Sequence, residues 1–236
     1  RSKHTIDYAH IGTHYDYPIA SATLAVLDLN KKRRTVGYIE GAGDQMDEML
    51  EAVGYRVVRI NEESTKEWDE VEAILVGIRA FNTEAWLAEA GPKIERFVGE
   101  GGNFVVTYTT AGRGDGTSLP VPVPLAIGRD RVTEEHAPVE WLLPEHPLLN
   151  EPNVLTSSDF DAWVQERGLY FPSSYEGYET PLRIHESTGV NYDNALVVAS
   201  YGKGAVIYTG LSLFRELPAG VPGSLRLLQN MLHYDR

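Results

Sequence analysis

The chain has 236 residues, 42% hydrophobic and 23% charged, with a formal net charge of −13 from 34 acidic and 21 basic residues. That size and composition support one large globular domain, while the acidic balance excludes bulk electrostatic attachment to nucleic acid or anionic lipid. The lack of cysteine excludes disulfides, thiolate metal sites and Cys nucleophiles, and no apolar run reaches the length of a membrane-inserting span.

Residues 1–34 read as a lead-in segment. Arg1-Ser2-Lys3-His4 runs into polar and aromatic residues, unlike a signal peptide. Without an initiator Met, the chain is expected to be a fragment or a processed product. The alternating Leu24, Val26, Leu27 and Leu29 predict one strand, and Lys31-Lys32-Arg33-Arg34 a solvated turn.

An α/β domain is expected over 35–236. Strands are predicted at 36–39, 55–60, 73–76 and 103–108, with helices at 45–53, capped by Asp44, and from Thr83 to about 98, interrupted at Gly91-Pro92. This rhythm argues for a doubly wound, mainly parallel, flavodoxin-like sheet with right-handed crossovers. Further on, 119–125 carries three prolines and reads as loop or edge. Short strands follow at 139–143 and 182–184. A hairpin spans 195–209 around Tyr201-Gly202-Lys203-Gly204, and a closing helix covers 225–232. The second half thus adds β elements to the sheet.

Ligands of open α/β sheets sit at the carboxyl ends of the strands, which directs attention to the segments leaving them. In Gly77-Ile78-Arg79-Ala80-Phe81-Asn82-Thr83, backbone N–H groups with Arg79 and Asn82 can form an anion or oxyanion site; the competing reading is a capped, salt-bridged loop. Gly41-Ala42-Gly43 lacks the third glycine and the distal acid of a dinucleotide fingerprint. Thr109 and Thr110 occupy the tip after Tyr108, where a nucleophile needs an adjacent base that the sequence does not supply. Arg129 to His136 is a charged stretch without metal-ligand spacing, favouring a salt-bridged loop that includes Arg131. His4, His10 and His14 with Asp7 and Asp16 also lack a helical frame for a metal. In 159–172, Trp163, Tyr170 and Phe171 alternate with Gln165, Glu166 and Arg167. That pattern suits stacking on a sugar or similar polar ring, and equally an aromatic core with a buried ion pair.

Taken together, GIRAFNT (77–83), GGNFVVTY (101–108), GRDRVTEE (128–135), WVQERGLYFP (163–172) and YTGLSLFRELPAGVPG (208–223) resemble the carboxy-terminal region of large bacterial PIG-L (LmbE-like) deacetylase-family proteins, over nearly the whole chain. The resemblance implies a class I glutamine amidotransferase-like, ThuA-like domain. It also implies a neighbouring zinc-dependent domain in the same polypeptide that deacetylates N-acetyl sugars, and an extracytoplasmic setting. The His-Pro-Asp-Asp run of that catalytic domain is absent here. Active amidotransferase relatives carry a Cys after the strand ending at Tyr108 and a His after the strand ending near Gly210; this chain has Thr109-Thr110 and Leu211-Ser212-Leu213 there.

The expectation is therefore a non-catalytic accessory domain, a pseudoenzyme without cofactor or metal, that binds a saccharide or braces the catalytic domain. Its rim candidates are Arg79, Asn82, Tyr108 and Arg131, then Trp163, Gln165, Glu166 and Arg167, and finally Arg215 just past the last strand. The alternatives are a carbohydrate hydrolase pairing Glu166 with Asp130 or Glu134, whose carboxylates would need to face each other across roughly 5–10 Å, and a purely structural interaction domain.

Overall fold

The structure, a computed structural model, describes residues 2–20, 24, 26–29, 34–112 and 116–235. It opens on a hairpin of β1 (His4–Tyr8) and β2 (Ile11–Asp16), whose β-branched and aromatic residues flank a turn at Ala9-His10. There follow β3 (Thr35–Ile39), α1 (Met46–Ala52), β4 (Arg56–Arg59), β5 (Ala73–Val76), α2 (Ala80–Thr83), α3 (Gly91–Glu100) and β6 (Asn103–Val106). The second half supplies β7 (Thr117–Leu119), β8 (Leu125–Val132), β9 (Val139–Trp141), α4 (Pro147–Asn150), β10 (Gly168–Ser174), β11 (Leu182–His185) and β12 (Asn191–Tyr192). The chain closes with β13 (Leu196–Tyr201), β14 (Gly204–Thr209), α5 (Leu213–Ala219) and α6 (Pro222–Leu232).

The central sheet has the order β4-β3-β5-β6-β14-β13. Its first five strands are mutually parallel, and β13 pairs antiparallel with β14 at the edge. The fully apolar run Ala-Ile-Leu-Val of β5 has all four residues buried because the sheet is covered on both faces. Val36, Tyr38, Leu75, Val105 and Ile207 point into one core with α1, α5 and α6, while Ile39, Ile74, Val76, Phe104 and Val206 meet α3 on the other face. Each such aliphatic side chain contributes about 1.5–3 kcal/mol by leaving water.

The doubly wound, flavodoxin-like expectation is corrected. The central sheet is mixed, and among the described residues eight of the fourteen strands lie outside it, in three antiparallel sheets: β1-β2, β10-β8-β7 and β12-β11-β9. The βαβ rhythm of 35–106 does not continue through 107–203. Prolines 120, 122 and 124 break the chain there, and β8 carries exposed Arg129, Asp130 and Arg131 instead of running continuously apolar as a parallel strand does. The fold is a mixed α/β architecture.

The lead-in also differs from its reading. Residues 24 and 26–29 form no strand; Leu24 and Val26 are exposed, and Leu27 and Leu29 lean on the core. Pairing partners, not alternation, decide strand formation, and the ladder is instead β1 with β2. Lys31, Lys32 and Arg33 lie outside the described residues, and Arg34 pairs with Glu72 at 3.2 Å. Among the described residues no helix is long and apolar enough to cross a membrane.

Candidate functional site

β5, β6 and β14 end side by side, and the loops leaving them carry most of the candidate residues. After β5, the loop is locked to the one after β3. Asp44 accepts from the Ile78 N–H (2.8 Å), the Met46 N–H (3.2 Å) and the Tyr38 hydroxyl (2.5 Å), and the Ala42 N–H reaches the Ile78 carbonyl at 2.8 Å. Asp44 thus acts one residue ahead of the helix cap at Gln45. Gly77 is required for this approach, since a Cβ there would lie 2.8 Å from Asp44 Oδ2, Gly41 N and Tyr38 Oη.

These bonds consume the Gly77, Ile78 and Arg79 backbone donors of the 77–83 loop. Gly77 N–H goes to the Ile39 carbonyl, Ile78 N–H to Asp44 and Arg79 N–H to the Tyr108 carbonyl at 2.8 Å. What remains for a ligand is the Arg79 side chain. Arg79 is exposed, holds a left-handed backbone (φ 59°), and its guanidinium has no ion pair or hydrogen bond among the described residues.

At the tip of β6, Asn82 fastens the two threonines. Its Oδ1 accepts from Thr109 Oγ1 and the Thr110 N–H, both at 2.8 Å, and its Nδ2 donates to the Thr110 carbonyl at 3.1 Å. Asn82 is therefore a clasp between loops, with both ends of its amide engaged. Tyr108 is 9% exposed, and its ring stacks on Tyr170 (5.8 Å, 8°) and tilts against Phe214 (5.0 Å). Burial raises the Tyr108 hydroxyl above its ordinary pKa, while nearby Arg79 and Arg215 oppose the rise. The phenol stays neutral at physiological pH and can donate a hydrogen bond.

Tyr170 reaches this place because β10 runs up to the end of β14. Leu169 N–H donates to the Gly210 carbonyl at 2.8 Å, and Ser212 Oγ donates to the Glu166 carbonyl at 2.5 Å. Tyr170 and Gln165 also have left-handed backbones (φ 56° and 68°). Three of the four non-glycine left-handed residues among the described residues, Arg79, Gln165 and Tyr170, thus gather at this end of the sheet. Such conformations cost of order 1–3 kcal/mol and concentrate at ligand-holding sites.

Glu166 is 4% exposed and bridges two arginines: Oε2 meets Arg131 at 2.6 Å and Oε1 meets Arg215 at 3.0 Å. Arg215 also donates to Gln165 Oε1, and its guanidinium lies 4.7 Å from the centre of the Phe214 ring. Arg79, Tyr108, Arg131, Gln165, Glu166 and Arg215 therefore form one neighbourhood. Trp163 and Arg167 do not join its surface. Each is 2% exposed; the indole N–H donates to the Asp159 carbonyl, and the Arg167 guanidinium packs 4.9 Å from the Trp163 ring centre while donating to the carbonyls of Phe160 and Ala137. Burial pulls Arg167 down to about 10. Beneath the cluster, fully buried Glu216 accepts from the Val164 N–H and the Ser212 hydroxyl, and burial pushes its carboxyl up to about 7.

Of the carboxylates considered as partners of Glu166, Asp130 is exposed on β8, and Glu134 accepts from the backbone and hydroxyl of Ser187. Among the described residues no group of three or more His, Cys, Asp or Glu is gathered for a metal ion. Sequence reasoning passed over Phe214 as a contact and Glu216 altogether. Their signal, a helix start just after the last strand, is disguised by Pro218 inside α5.

No family model and no curated protein matches the chain. Among solved structures, it is similar to the cytoplasmic protein STM3548 of Salmonella typhimurium, with a TM-score of 0.54 and 16% identity over 86% of this chain and 98% of that one. It is also similar to the cytoplasmic protein STM1381 of Salmonella typhimurium LT2, with a TM-score of 0.54 and 14% identity over 86% and 99% of the two chains. A β-galactosidase of Rahnella sp. R3 matches at a TM-score of 0.45 and 15% identity, over 86% of this chain and 32% of the enzyme. At these identities the first two likenesses speak to fold alone, and the third score is too low to carry an argument.

Proposed function

We propose that this chain is a non-catalytic accessory domain of a PIG-L-type N-acetyl-sugar deacetylase polypeptide, and that it binds a saccharide at the ends of β5, β6 and β14. The observation that carries this reading is the bond from Thr109 Oγ1 to Asn82 Oδ1. The hydroxyl at the tip where an acyl-transfer nucleophile would stand is directed at an amide oxygen, which cannot accept its proton as a general base does. Around it stand stacked aromatic rings and guanidinium groups, the chemistry of polar-ring recognition.

A hydrolase built on Glu166 is less well supported, because both carboxylate oxygens are taken by arginines. The test is incubation of the purified chain with glutamine, chromogenic esters and N-acetylglucosamine, beside a thermal-shift panel of sugars. The reading expects a shift with at least one sugar and no turnover; turnover of any amide or ester would overturn it.

Bracing of the neighbouring deacetylase domain is a second reading, favoured by the β1-β2 hairpin. Every residue of both strands is exposed, including Ile6, Tyr8, Ile11 and Tyr15. A two-stranded hairpin is marginal on its own in water, so a covering surface would stabilise it. Pull-down of a PIG-L-type catalytic domain by the intact chain, and its loss on replacing Tyr8 and Tyr15 by Ser, tests this role.

A further inference from the structure

From the charge and the free donors at the strand ends we infer that the ligand is an anionic saccharide, its carboxylate or phosphate taken by Arg79 and the Tyr108 hydroxyl and its ring lying near Tyr170. The inference rests on the reading of these strand ends as a saccharide site and adds the class of sugar. Three guanidinium groups, Arg79, Arg131 and Arg215, stand here with two carboxylates: buried Glu166, which pairs with two of them, and Asp44, which accepts from the Ile78 N–H. The balance is positive by one charge within a chain whose formal net charge is −13. Beneath them lie buried Arg167 and Glu216, of opposite charge when Glu216 is ionised.

The two donors are held ready but unused. Tyr108 is nine-tenths buried, yet its hydroxyl has no hydrogen-bond partner among the described residues. The Arg79 guanidinium is likewise free among them, on a backbone whose left-handed conformation is unfavourable for an arginine. Arg131 and Arg215, by contrast, share the one Glu166 carboxylate, which orients both, and Gln165 fixes Arg215 further. Arginine presents paired donors that suit carboxylate and phosphate oxygens, and charge-assisted bonds are about twice as strong as neutral ones. A neutral sugar would leave Arg79 without a counter-charge.

Calorimetric titration of the intact chain with glucuronate, glucose 6-phosphate, glucose, N-acetylglucosamine and inorganic phosphate tests this. Glucuronate or glucose 6-phosphate should bind at least tenfold more tightly than either neutral sugar, and the stronger of the two identifies the anion. Arg79→Gln, at an exposed position without partners, should fold normally and lose that tenfold preference, and Tyr108→Phe should lose part of it. Neutral sugars binding as tightly as the acidic ones would overturn the anionic class and leave the saccharide reading in place. Inorganic phosphate matching glucose 6-phosphate would overturn the role of the ring. Unchanged acidic-sugar binding in Arg79→Gln would overturn the placement. Failure of every sugar to bind would overturn both this inference and the reading beneath it.

Discussion

Thr109 Oγ1 donates to Asn82 Oδ1 at 2.8 Å, and the same oxygen accepts the Thr110 N–H at 2.8 Å. One amide thereby joins the loop after β5 to the tip of β6 as a structural clasp. Asn82→Ala removes three hydrogen bonds and should cost about 1.5–4.5 kcal/mol, given that each is worth roughly 0.5–1.5 kcal/mol. Urea unfolding monitored by tryptophan fluorescence measures it. A change below a few tenths of a kcal/mol would show that the clasp is dispensable.

Arg79 should trade stability for binding. Its φ of 59° suits glycine, so Arg79→Gly relieves strain at the expense of a freer unfolded chain, with a net gain of about 0.5–1 kcal/mol. The same variant should lose acidic-sugar binding. A destabilised variant with intact binding would contradict both parts.

Glu216 gives a pH dependence with a definite sign. Its carboxyl sits near 7 when folded against an ordinary 4.5, so between those values the folded state holds a proton that the unfolded chain releases. The stability this group contributes is complete below pH 4.5 and is lost as pH rises toward 7. Glu216→Gln keeps an acceptor for the Val164 N–H but cannot ionise. It should match the parent near pH 4.5 and exceed it by about 1–3 kcal/mol at pH 8. Parallel urea titrations across that range test the difference, and a constant offset would refute it.

Gly77 and Gly91 form a matched pair of tests. A Cβ at Gly77 would meet the Asp44 carboxylate at 2.8 Å, whereas one at Gly91 would meet Pro120 at an ordinary 3.5 Å. Gly77→Ala should therefore cost about 1–3 kcal/mol by forcing the two loops apart. Gly91→Ala, in the first turn of α3, should be neutral or stabilising by up to about 1 kcal/mol. Thermal unfolding of both variants distinguishes them.

The parallel strands were legible because burial on two faces writes a continuous apolar run, as in Ala73 to Val76 and Phe104 to Val106. The position of Arg79 and Tyr108 at neighbouring strand ends was legible from the same apolar runs, and the Arg79 N–H does meet the Tyr108 carbonyl. Trp163 and Arg167 were not, since an aromatic beside a cation reads the same on a surface as in a core. Here buried backbone carbonyls satisfy the guanidinium. Tyr170 depends on a left-handed backbone and on β10 returning to Gly210, contacts far apart in sequence that no local pattern encodes. The hairpin at 4–16 was masked by the more hydrophobic 24 and 26–29, which pair with no strand among the described residues.

The central claim is that these strand ends hold a ligand without transforming it. Proton NMR of glucuronate mixed with the intact chain and followed for a day reads both halves at once. The account predicts broadened sugar resonances that sharpen on Arg79→Gly substitution, with no new signals. New product resonances at any time would contradict it.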